Sequence, residues 1–173
     1  MNPATLREIC LPSNPESVSQ ARDEVREWLG ESHPAYENTR LAVSELVTNA
    51  VRHASHGIGH PVDPLAVRLT VTDGGTLRVE VADRGWTTTE PRIPVEPVSD
   101  LAESGRGLAI VSLVSDGNWG YRSHGPGLGR TVWCEIPARP PSPEDPLPAT
   151  PDLLTRPGRI PRSGWDGSLA RPD

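Results

Sequence analysis

The chain has 173 residues, a formal net charge of −6 and no lysine, so all 17 of its cations are arginines. That length suits one domain around one core. The charge excludes the basic footprint of a nucleic-acid binder and argues against an anionic membrane surface as partner. The missing lysine excludes a lysine-bearing phosphate loop and Schiff-base chemistry.

Residues 5–11, Thr-Leu-Arg-Glu-Ile-Cys-Leu, alternate and predict a strand. Asn14 before Pro15 reads as a cap and first helical position for a helix over 15–30. Val18, Ala21, Val25, Trp28 and Leu29 form its apolar face, and Gly30 ends it. Pro34 opens a second helix that runs to about Ala54, followed by a Gly/Pro/His loop at 56–64. Two alternating runs, 65–73 and 76–83, flank Asp73-Gly74-Gly75 and predict a hairpin. An irregular stretch over 86–104 precedes a helix at 107–116, a short strand at 119–123 and a last strand at 130–136. The order β-α-α-β-β-loop-α-β-β predicts a two-layer α/β (α+β) sandwich, its helices on one face of a mixed, mostly antiparallel sheet.

Nine of the 20 prolines fall in residues 138–173, a neutral stretch with no periodic apolar face. Such a composition buries too little surface to offset chain entropy. It is expected to be a Pro-rich disordered tail, leaving residues 1–137 as the domain. Cys10 and Cys134 lie in apolar strand-like runs and are expected to be reduced, buried thiols. No apolar run nears the ~20 residues of a membrane helix, and the start MNPATLREIC lacks the form of a signal peptide. A cytoplasmic protein is expected, with no direct nucleic-acid or membrane partner.

The second helix carries a core stripe of Val43, Leu46, Val47, Ala50 and Ala54. Beside it Glu45, Asn49 and His53 recur every fourth residue and share one face. A neutral amide oxygen can hold Mg²⁺ while phosphates supply the charge, and a carboxylate one turn away can take a proton from an attacking hydroxyl. Taken alone, the strip also fits a solvated polar face. Asp83 ends the strand 77–83 and is followed two residues later by Gly85, an arrangement able to read an exocyclic amino group or simply to turn the chain. Gly105-Arg106-Gly107 opens the third helix and suits an anion. His53, His56 and His60 cluster in sequence, but without a cysteine among them they make a poor zinc site. Trp119, Tyr121 and Trp133 read as core or edge packing.

In order and spacing, Glu45-x-x-x-Asn49-Ala50, Asp83-x-Gly85, Gly105-x-Gly107-Leu108 and Gly129-x-Thr131 resemble the four boxes of the GHKL ATPase superfamily. Within it, the strand, Leu11-Pro-Ser-Asn-Pro15, the helix and the run 41–50 are similar to the short anti-sigma factor/serine-protein kinase family. The resemblance implies a Bergerat-type fold with ATP and Mg²⁺ as cofactors. It implies Glu45 as general base, Asn49 as metal ligand, and Asp83 with Gly85 and Thr131 on the adenine. Gly105, Arg106, Gly107 and Leu108 would lie along the phosphates, and 86–104 would be a lid. It further implies a sigma factor and a serine of an anti-anti-sigma (STAS) protein as partners, and a homodimer. An ATP-dependent binding module of the same fold, without useful turnover, is the alternative. Two positions depart from the pattern: Thr87 stands where a further glycine is common, and Glu103 where the well-known kinases carry arginine.

Overall fold

A computed structural model describes residues 4–54, 63–72, 75–84, 91, 106–125 and 128–138. The elements follow the expected order: β1 (Ala4–Leu11), α1 (Glu16–Leu29), α2 (Tyr36–Ala54), β2 (Leu65–Val71), β3 (Leu77–Asp83), α3 (Arg106–Val114), β4 (Trp119–Ser123) and β5 (Arg130–Ile136). Gly85, Thr87, Glu103, Gly105, His56 and His60 lie outside the described residues, as does the tail from residue 139.

Local chemistry explains most boundaries. The Asn14 Oδ1 accepts the Ser17 N–H at 3.1 Å, occupying a donor that a helix start leaves unpartnered. Gly30, at φ 73°, ends α1 with its N–H on the Arg26 carbonyl. The helix α2 begins two residues beyond Pro34 because His33 organises the entry. Its Nδ1 accepts the Ala35 N–H at 3.2 Å and its carbonyl accepts the Tyr36 N–H at 2.9 Å. At the tip of the β2–β3 hairpin, the Thr72 N–H donates to the Thr76 carbonyl at 2.8 Å.

The five strands form one sheet in the order β1-β2-β3-β5-β4, and all four pairings are antiparallel. Alternation divides the sheet into two faces. Leu65, Val67 and Leu69 of β2, Leu77, Val79 and Val81 of β3, and Val132, Cys134 and Ile136 of β5 join the core with Val43, Leu46, Val47 and Ala50 of α2. Each of those strand residues is buried, with relative exposure of 7% or less. The helix α2 packs on β3 and β5, with α1 and α3 against its flanks. The opposite face carries charge. The Arg78 guanidinium lies 4.0 Å from the Trp133 ring centre and donates to Glu80 and Glu135 at 3.2 and 2.9 Å. Trp119 packs in the core and Trp133 is buried on the other face, both as packing residues. Among the described residues, no helix is long and apolar enough to cross a membrane.

The expectation for the cysteines holds for Cys134 only. Burial is complete at Cys134 and pushes its thiol up to about 12. Cys10 is exposed, because it lies on edge strand β1 between Ile9 and Leu11, which point to the core. An aromatic disulfide reagent is therefore expected to titrate Cys10 in the native protein and Cys134 only after unfolding. Equal rates for the two would contradict the placement of Cys134.

Candidate functional site

The polar strip on α2 survives folding in a specific setting. Glu45 and Asn49 are half-buried, one turn apart, flanked by buried Leu46 and Ala50. The first turn of α3 closes on them. A Cβ built on Gly107 would stand 2.6 Å from Glu45 Oε2 and 3.5 and 3.6 Å from Asn49 Nδ2 and Oδ1. The missing side chain lets the amino end of α3 sit directly against both polar groups. Leu108, buried beside it, fixes the helix in the core, while Arg106 is exposed at the first helical position. Backbone N–H groups of a first helical turn have no intrahelical acceptors and lie at the positive end of the helix dipole. The cluster thus combines a carboxylate, a carboxamide and an anion-attracting helix start.

Asp83 ends β3 on the same face of the sheet that α2 covers, following Leu77, Val79 and Val81 in alternation. It is 4% exposed. Its antiparallel partner is Arg130, whose Nε–H donates to Asp83 Oδ2 at 3.3 Å. Gly129 makes this approach possible. Its φ is +82°, and a Cβ there would collide with the Asp83 carbonyl and lie 2.6 Å from the Arg84 Cα.

One expected site residue is placed elsewhere. Thr131 was expected beside Asp83, but it belongs to the opposite face of the sheet, because Val132, Cys134 and Ile136 point to the helices and Thr131, Trp133 and Glu135 alternate with them. It helps line a small depression with Arg68, Glu80 and Arg122. Its Oγ1 shares a hydrogen bond of 2.9 Å with His124 Nε2. Burial, aided by Arg122, holds the His124 imidazole below its usual range against the opposing pull of Asp83. The residue that meets Asp83 is Arg130, overlooked in the sequence although the same alternation places it on the helix-facing side.

The structure therefore joins Glu45, Asn49 and Gly107 in one cluster, with Leu108 and Arg106 on the same helix turn and Asp83 on the sheet face beneath α2. Gly107→Ala is expected to keep the fold, because the obstructed atom is the far end of a flexible side chain. The Glu45 carboxylate should shift by about 1 Å to reach an ordinary contact distance, visible in a crystal structure of the variant. An unmoved Glu45 would contradict the close approach.

Comparison with known proteins agrees with this architecture. A family model of the histidine kinase-like ATPase domain matches residues 11–134. The serine-protein kinase RsbW of Oceanobacillus iheyensis is 32% identical over 123 residues, spanning 63% of this chain and 74% of that protein. Its counterpart in Bacillus pumilus is 32% identical over 122 residues, spanning 64% and 75%. Part of the solved chain that holds the RsbU and RsbW domains of a Mycobacterium tuberculosis protein shares the fold, with a TM-score of 0.52 and 24% identity. That match covers 80% of this chain and 34% of the solved one. The chain therefore belongs to the histidine kinase-like ATPase domain family, in its anti-sigma factor/serine-protein kinase branch.

Proposed function

We propose that this chain binds Mg·ATP, sequesters a sigma factor and phosphorylates a serine of an anti-anti-sigma (STAS) protein. The observation that carries the reading is the seating of Gly107 on Glu45 and Asn49. It presents a phosphate-attracting helix start to a metal-compatible amide and a carboxylate one turn apart. The 31–32% identity to proteins named serine-protein kinase RsbW supports the choice of reaction.

Asn49 suits Mg²⁺ because a cation already bound to phosphates needs few protein ligands, and a neutral oxygen serves. Bound there, Mg²⁺ would offset the negative charge of the phosphates. The α3 amino end, with Gly107 and Leu108, holds the phosphate chain, and Gly105 precedes it. Arg106 supplies a cation at the same helix start. Asp83 accepts a hydrogen bond from the adenine amino group, and Gly85 leaves room for the ring. Glu45 takes the proton of the serine hydroxyl as its oxygen bonds to the γ-phosphorus, and the bond from that phosphorus to the bridging oxygen breaks to release ADP. The transfer thus rests on positioning and charge stabilisation. The protein acts in the cytoplasm as a homodimer, with 1–137 as the ATP-binding domain and 138–173 as a Pro-rich tail.

Glu103, in place of a cation, favours a second reading, in which nucleotide and partner bind without turnover. Intact mass of the cognate STAS protein after incubation with Mg·ATP separates the two. The kinase reading predicts one added phosphate. Glu45→Ala should retain Mg·ATP affinity and slow transfer by roughly 10²–10⁴-fold, while Asn49→Ala should weaken binding and transfer together. No phosphate on a verified partner would overturn the kinase and leave the binding module.

A further inference from the structure

We propose that Arg130 determines base preference by holding the Asp83 carboxylate as a charged, acceptor-only group that selects a base bearing an exocyclic amino group. The proposal rests on the nucleotide reading above and adds a residue to it.

The Asp83 and Arg130 side chains are 2% and 7% exposed, so both charges lie out of water. A carboxylate at that depth without a cation takes up a proton. A protonated carboxyl both donates and accepts, and so cannot tell an amino group from a carbonyl on a base. Ionised, it accepts only, and a base with a carbonyl in that position meets an acceptor facing an acceptor. The charge on Asp83 therefore carries the discrimination, and Arg130 is the cation seen paired with it among the described residues.

The pairing is built into the backbone. Asp83 and Arg130 are register partners across β3 and β5. Gly129, at φ +82° and with no room for a Cβ, presses the start of β5 onto Asp83 and Arg84. Arginine remains charged at any working pH. His124 is a poorer candidate: burial and Arg122 hold its imidazole below its usual range, against the opposing pull of Asp83. Thr131 does not either, being on the other face and engaged with His124.

The test compares Mg·ATP with Mg·ITP, which carries a carbonyl in place of the 6-amino group and an N1–H in place of the N1 acceptor, and with the triphosphate of purine riboside, which lacks the amino group alone and is expected to follow ITP; all three share the triphosphate. Affinities are measured by calorimetry for the wild type, Arg130→Lys and Arg130→Met. The wild type should prefer ATP by roughly tenfold or more, the scale of one hydrogen bond to a charged group. Arg130→Lys should retain the preference. Arg130→Met should bring the ratio near one while ITP binding persists through the phosphates. If Arg130→Met does not fold, Arg130→Gln, which keeps a donor but no charge, carries the same expectation. A ratio unchanged in the uncharged variants overturns the proposal and leaves the nucleotide site intact. So does tighter ATP binding in them, since the arginine would then compete with the base. Wild type that binds none of the three nucleotides overturns the nucleotide reading itself, and this proposal with it.

Discussion

The close contact between the start of α3 and the Glu45 carboxylate depends on a single missing side chain. With any Cβ at residue 107, the helix start and the Glu45 carboxylate could not occupy their present positions. Leu108 and Val111 anchor α3 in the core, so the helix cannot retreat without leaving a cavity. The polar strip of α2 is equally fixed by its buried neighbours Leu46, Val47 and Ala50. The chemistry-bearing groups are thus held by packing on both sides.

A second close contact shapes the other end of the region. Gly129 brings the entrance of β5 onto the end of β3 and sets Arg130 against Asp83. A buried ion pair gives little net stability. The pair on the helix-covered face, at a strand end, therefore contributes little to folding by itself. The opposite face of the sheet has its own charged groups, Arg78 with Glu80 and Glu135, but there the guanidinium also covers an indole and serves packing.

Much of this was legible in the sequence because each signal had a single strong cause. Alternation fixed the β2–β3 hairpin, and the i, i+4 recurrence of Glu45 and Asn49 placed both on one face of α2. Asn14 and Gly30 marked the ends of α1 through backbone chemistry that few residues provide. What failed was tertiary in origin or required reading a strand against its neighbours. Cys10 lies in an apolar run, yet edge position and alternation expose it. The motif spacing pointed to Thr131, but a one-residue step along a strand changes face, and the apolar series Val132, Cys134, Ile136 assigns the helix side to Arg130. The contact of Gly107 with Glu45 joins residues 62 positions apart and has no local signature.

The most direct measurement is a crystal structure with Mg²⁺ and a non-hydrolysable ATP analogue. The account predicts the metal on the Asn49 amide oxygen, the phosphates against Gly107 and the start of α3, and the base amino group within hydrogen-bonding distance of Asp83. A nucleotide bound on the opposite face of the sheet, or none at saturating concentration, would contradict it.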